Sequence, residues 1–349
     1  MSTSLDEPGK WKVNPVLATW ISMLALAVAC VAFWLWRVQL KAGAQEAPGP
    51  GTVIRMGMTE LAALDAVWDE DFGFIVWSST MYGDHELVRL DWPSGRITRL
   101  TKNSFVDSTP KISPDGTRVV FARSRLPWVS FRNLEEWDIW ALDLTTGHEW
   151  RVAERGAEPG WTADSRSVVF QRGGREVIQA ALDGSSETVL LGSKEKTIWT
   201  TPSLNPAGDR LAVTVRGKQR RTSVFTVPGG VETPVAGGCQ LAFFPDGQGM
   251  VLVEHGGKMK NQICRTDAQG KNVQPLIDML GYWSHEYFPR VSNDGKLLVF
   301  GAAREGHEHD TADYEIFLWR IGDPWENAAR VTFHTGNDQW PDIWVIPQP

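Results

Sequence analysis

Cysteine is scarce, with three in 349 residues, so the chain cannot be held by a complete disulfide framework, and nothing resembles a reactive cysteine. Basic residues are outnumbered: 35 Lys and Arg face 42 Asp and Glu, for a net charge of −7. No Lys/Arg stripe with interleaved aromatics occurs, which argues against a nucleic-acid surface. The densest basic run, Arg216 to Arg221 with Lys218 and Arg220, falls between two predicted strands and reads as a solvated hairpin loop. No Gly-x-Ser-x-Gly elbow, phosphate loop or dinucleotide fingerprint is found, which leaves serine-hydrolase and nucleotide chemistry without their parts. One further absence is local: no residue from Val13 to Trp36 is charged.

What the sequence does contain is a phrase repeated five times and then half a sixth time. The full copies are Thr109-Pro110-Lys111-Ile112-Ser113-Pro114-Asp115-Gly116, Glu158-Pro159-Gly160-Trp161-Thr162-Ala163-Asp164-Ser165, Thr201-Pro202-Ser203-Leu204-Asn205-Pro206-Ala207-Gly208, Leu241-Ala242-Phe243-Phe244-Pro245-Asp246-Gly247 and Phe288-Pro289-Arg290-Val291-Ser292-Asn293-Asp294-Gly295. Aligned on Asp115, Asp164, Ala207, Asp246 and Asp294 they are spaced by 49, 43, 39 and 48 residues, the period of a four-stranded propeller blade. In each, a short strand enters a Pro-Asp-Gly type turn, where Pro presets φ and Gly tolerates a positive φ. A β-branched and aromatic run such as Val119-Val120-Phe121 follows as a buried second strand. A third strand such as Asp138-Ile139-Trp140-Ala141 and a polar edge strand such as Glu149-Trp150-Arg151-Val152 complete the unit.

The half copy, Asp338-Gln339-Trp340-Pro341-Asp342-Ile343-Trp344, has no second strand after it. Its missing remainder stands near the other end, in Phe74-Ile75-Val76-Trp77, Glu86 to Asp91 and Arg96 to Leu100. The C-terminal strand is therefore expected to complete the first blade and close the ring, which removes an exposed sheet edge. The expected fold is an all-β, six-bladed β-propeller. Cys239 and Cys264 then fall on non-neighbouring strands of one blade, too far apart in the sheet for a disulfide.

Ser113-Pro114-Asp115-Gly116 with Trp137-Asp138-Ile139-Trp140 resembles the repeat of the TolB-like family of WD40-like (PD40-repeat) propellers, and the resemblance extends over residues 65 to 346. It implies an exported, periplasmic or extracytoplasmic protein that binds a protein or a cell-envelope polymer. The small α/β domain that precedes the propeller in TolB has no room here, so TolB's own role is not carried over. Related propellers include metal-dependent oligogalacturonate lyases, which use clustered histidines, and the alternative function is an enzyme of that kind.

The uncharged run from Pro15 to Trp36 is long enough to cross a hydrocarbon core, which takes roughly 20 apolar residues, and Trp11, Trp34 and Trp36 mark its ends. The expected organisation is a cytoplasmic tail at 1–12, a transmembrane signal-anchor helix at 13–37, a flexible tether at 38–64 and the propeller at 65–349. A cleaved signal with Ala42-Gly43-Ala44 as its cleavage site is the alternative. The charges flanking the run are nearly tied, so orientation follows from the resemblance.

Two clusters are candidates for function. Leu126, Trp128 and Phe131 are apolar residues on a long loop of blade 2, expected to protrude as a partner contact with Glu308 and Asp310. His285, His307, His309 and His334 lie on connections into, within and out of blade 6, where imidazoles and nearby carboxylates would suit a divalent metal. No spacing among them matches a known ligand motif, and no other cofactor is expected. Trp140, Trp161, Trp319 and Trp344 recur at repeat positions and are expected to fill space between blades.

Overall fold

The computed structural model describes residues 53–68, 72–193, 197–217, 220–256, 261–279, 283–304, 306–333 and 336–347. The chain divides into units at 1–47 and 48–349, and every described residue belongs to the second. The expected membrane span at 13–37 lies outside the described residues. No helix among the described residues is long and apolar enough to cross a membrane.

Among the described residues six antiparallel sheets follow one another along the chain. Blade 2 takes Asp107–Ile112, Arg118–Ser124, Trp137–Asp143 and Glu149–Ala153, and blades 3 to 6 repeat that order, ending with Tyr314–Arg320 and Ala329–Arg330. Blade 1 is built from both ends. Its innermost strand is Asp338–Val345, antiparallel to Gly73–Tyr82, with Ile75 opposite Ile343. Asp84–Trp92 and Arg96–Arg99 follow outward. The chain thus closes through ladder hydrogen bonds between residues more than 250 positions apart.

The expected tether is corrected here, since part of it is ordered. Val53–Arg55 adds a fifth, outermost strand beside Arg96–Arg99, and Met58–Trp68 forms a helix, α1. The segment Met58-Thr59-Glu60-Leu61-Ala62-Ala63-Leu64 is rich in strong helix formers. α1 buries Leu64, Val67 and Trp68; the Trp68 ring stacks on Trp92 at 5.6 Å, and Arg320 Nη2 donates to the Val67 carbonyl at 2.7 Å.

The core sits between blades, because each sheet is apolar on both faces. Val120 and Ile139 of blade 2 meet Val168 and Phe170 of blade 3, and Val251 and Ile263 of blade 5 meet Leu298 and Phe300 of blade 6. Burying each such side chain contributes about 1.5–3 kcal/mol. Trp140, Trp161, Trp319 and Trp344 all pack against these inter-blade clusters. Cys239 and Cys264 are free and buried.

A polar device appears twice in the outer layers. Arg99 Nη2 donates to Glu86 at 2.9 Å while Thr101 Oγ1 donates to the same carboxylate at 2.5 Å and accepts from Leu87 N–H at 3.0 Å. In blade 6 Arg330, Thr332 and Glu315 reproduce it, with Thr332 Oγ1 accepting from Ile316 N–H. Each buried carboxylate thereby acquires a cation and a hydroxyl, which is what makes its burial tolerable.

Candidate functional site

Every innermost strand carries the same irregularity, two residues opposite one on its partner, at the start of the repeated phrase. The bulge places one residue per blade at positive φ: Thr109, Glu158, Thr201, Gln240, Phe288 and Trp340, all between 50° and 59°. Non-glycine residues seldom adopt this conformation, and it costs of order 1–3 kcal/mol each. The bulge turns these side chains toward the axis and frees backbone N–H groups from the ladder. Neighbouring blades satisfy them: Glu158 Oε2 accepts from Thr201 N–H at 2.7 Å, Gln240 Oε1 from Phe288 N–H at 2.7 Å, and Thr214 Oγ1 from Gln240 N–H at 2.8 Å.

Above this ring, on the rim formed by the connections between second and third strands, lies a cavity of about 100 Å³. Its walls come from all six blades, including Thr109, Glu158, Arg216, Gln240, Tyr287 and Trp340, and its roof from Phe131, Arg132, Leu134 and Trp137 of blade 2. Five of the six described histidines, His85, His255, His285, His307 and His309, lie at this same end of the strands, and His148 lies at the other.

The roof is fastened across blade 1. Asp310 accepts from Ser130 Oγ at 2.5 Å and from Phe131 N–H at 2.8 Å, and Arg132 pairs with Glu308. Phe131 stacks on Trp137 at 5.8 Å and meets the edge of His85 at 5.5 Å. Glu308, Asp310 and Phe131, expected on a partner surface, are thus engaged within the chain, because the loops of blades 2 and 6 are long enough to meet over the short hairpin of blade 1. Leu126 and Trp128 remain outside, 51% and 68% exposed, at a tip anchored by buried Val129.

The histidines are held by aromatic rings more than by one another. His285 and His307 lie 5.9 Å apart between ring centroids, and His285 Nδ1 faces Asn261 Oδ1 at 3.1 Å. His309 is surrounded by Tyr287, Phe288, Tyr314 and Trp340, at 5.4, 5.0, 6.3 and 5.5 Å. That enclosure drives its pKa down to about 3, and burial does the same to His85, to about 4, so both are neutral at physiological pH. His334 lies outside the described residues. Among the described residues no three His, Cys, Asp or Glu side chains are grouped to hold a metal ion, so the geometry offers no ligand set to His285, His307 and His309.

The basic run is corrected in one respect. It is a hairpin connection between Arg210–Arg216 and Arg221–Thr226, yet Arg216 and Arg220 line the cavity. Strand alternation places Arg216 on the inner side at the strand's last residue, a position that composition does not reveal. Desolvation raises the pKa of Glu158, on the adjoining blade 3, to about 7 against the opposing pull of Thr201 N–H, Arg216 and Lys111. Deeper in the channel Lys111 is buried and Arg290 half-buried, and desolvation lowers the pKa of both.

No family model matches the chain. A TolB homologue of Chlorobium luteolum is 26% identical over 142 residues, 40% of this chain and 30% of that protein. A Tol-Pal system protein TolB of Francisella tularensis is 34% identical over 58 residues, 17% of this chain and 13% of that protein. The matched part of the chain thus spans less than a third of the length of these relatives. Among solved structures, TolB from Acinetobacter baumannii superposes with a TM-score of 0.58 at 16% identity, covering 78% of this chain and 66% of that one. A putative TolB from Agrobacterium tumefaciens gives 0.56 at 14%, covering 80% and 99%. Repeat phrase, ring closure and these likenesses agree: the chain is a six-bladed β-propeller whose fold is similar to that of the TolB structures.

Proposed function

We propose that this chain is a recognition module of the cell envelope, exported and anchored through the span at 13–37, whose propeller binds a protein or an envelope polymer across the rim above the axial cavity. The observation that carries the reading is the fastened roof: a loop held at both Ser130 and Phe131 that still presents Leu126 and Trp128 to solvent. Large exposed apolar groups on a rigid support are what a hot spot requires, because little side-chain or loop entropy is lost on docking. The relatives named for the Tol-Pal system favour an envelope protein as the partner. The grouping of charges and rings around His309 serves packing in this reading, and the protein works by binding.

The test compares wild type with a Leu126→Ser/Trp128→Ser variant in cross-linking and pull-down from detergent extracts of the envelope. The variant keeps Val129 to Arg132, which hold the loop, so its fold is retained. A partner captured by wild type and lost by the variant is expected; the same partners at the same yield from both would remove the tip from the reading. Anchoring is tested separately by alkaline extraction of membranes: a chain lacking residues 1–37 should be released while the full chain is retained.

A further inference from the structure

We propose that the axial cavity is a binding site for a carboxylate carried on a small apolar or aromatic body. This goes beyond the rim reading, since it concerns the interior beneath the roof and not the tip that Leu126 and Trp128 form.

The first observation is a set of donors without acceptors. Ser108 Oγ, Thr109 Oγ1 and Trp340 Nε1 line the cavity, belong to residues only 1%, 5% and 8% exposed, and have no hydrogen-bond partner among the described residues. An indole N–H can only donate, and a hydroxyl donates as readily as it accepts. Leaving such a group unpaired in a buried position costs about 1–3 kcal/mol. Three of them around one space call for an acceptor-rich occupant.

The second observation is the state of the cations. Three guanidinium groups line the cavity. Arg132 is paired with Glu308, and Arg220 Nη1 lies 3.1 Å from His255 Nε2. The Arg216 guanidinium has neither an ion pair nor a hydrogen bond among the described residues. Its planar fork matches the two oxygens of a carboxylate. A single uncommitted guanidinium suits a monoanion, and the Glu158 carboxyl on the adjoining blade disfavours a dianion such as phosphate. One oxygen of Glu158 is already bound to Thr201 N–H.

The remaining lining decides the body of the ligand. Phe131, Trp137 and Tyr287 present apolar ring surface to the cavity, and its volume of about 100 Å³ admits a small acid or the end of a chain. In a protein of net charge −7 the long-range field does not draw anions in, so the basic lining acts locally.

The probe is 3-phenylpropionate, followed by tryptophan fluorescence, with 3-phenylpropionamide as its neutral isostere and inorganic phosphate as a second anion. Wild type is expected to saturate with the acid at a Kd on the order of 1 mM, to bind the amide at least tenfold more weakly, and to show no saturable response to phosphate. Arg216→Gln, shown to be folded by its thermal melt, should bind the acid no better than the amide. Should that variant fail to fold, Ser108→Ala decides, with an expected loss of a few-fold in affinity for the acid. Equal binding of acid and amide, absence of saturation by the acid, or unchanged affinity in the deciding variant would each overturn the proposal and leave water as the occupant. The Leu126→Ser/Trp128→Ser variant should keep wild-type affinity for the acid, so failure of the rim reading and failure of the cavity site are read separately.

Discussion

Asp310 and Ser130 join loops 180 residues apart, Ser130 Oγ donating to Asp310 Oδ2 at 2.5 Å. A carboxylate that also accepts Phe131 N–H at 2.8 Å fixes the blade 2 loop from both its side chain and its backbone. Charge-assisted hydrogen bonds of this kind are the strong ones.

Asp310→Ala should therefore free the roof without unfolding the ring. Two hydrogen bonds to a charged group are lost, for about 1–3 kcal/mol of local stability. Hydrogen exchange should show faster exchange confined to amides 124–136, with the inner strands of blades 3 to 5 unchanged. Uniform acceleration across all blades would mean that the contact supports the whole ring.

Two glycines of the repeat separate backbone from packing effects. Gly116 and Gly208 have φ of +74° and +76°, but a Cβ on Gly116 would strike the Trp344 indole whereas one on Gly208 meets nothing within 4 Å. Gly208→Ala should cost about 1 kcal/mol and Gly116→Ala about 2–4 kcal/mol, the excess coming from overpacking the seam between blade 2 and the closing strand. Denaturant midpoints compare them directly.

The duplicated carboxylate device predicts a ranking. Arg99 is nearly enclosed beside Glu86, their side chains 4% and 0% exposed, while Arg330 beside Glu315 is 23% exposed. Arg99→Ala should cost about 3–5 kcal/mol, because it strands a buried charge, and Arg330→Ala less, because Arg330 itself already meets solvent and water can take its place beside Glu315. Equal losses in chemical denaturation would contradict the dependence on burial.

Glu286 gives a pH dependence. Burial pushes its pKa up to about 8, with Asp278 adding to the rise and Met279 N–H, which donates to Oε1 at 2.6 Å, opposing it. The folded state therefore holds this proton more tightly than the unfolded chain. The contribution is complete below the unfolded pKa and is lost as pH rises through about 8. Glu286→Gln keeps the acceptor for Met279 N–H and removes the titration. Its Tm should exceed that of wild type at pH 9, by an amount corresponding to about 1 kcal/mol or more, and the two should converge near pH 5.

The blades were legible because each writes its own strand and turn chemistry within about fifty residues, and the half phrase at Trp340 announced the closure. α1 was not, since the Ala, Gly and Pro of Ala42 to Gly51 have the composition of a linker and the helix formers that follow span only three turns. The histidines could be seen to gather near blade 6, but the aromatic shell around His309 comes from Phe288, Tyr314 and Trp340, on strands far apart in sequence. Contact between Ser130 and Asp310 is likewise set by how far two loops project, and no local pattern carries that. The inward turn of Arg216 depended on where its strand ends by one residue.

The ring of strained residues has a meaning for how such a protein diversifies. Thr109, Glu158, Thr201, Gln240, Phe288 and Trp340 occupy one and the same position of the repeat, yet only threonine occurs there twice. Around them the blades conserve a common grammar of strands and turns, while at that one site a carboxylate, an amide, two hydroxyls and two aromatic rings face a shared axis. The propeller can rewrite its interior one letter at a time, six letters in all, without disturbing a single ladder of the frame.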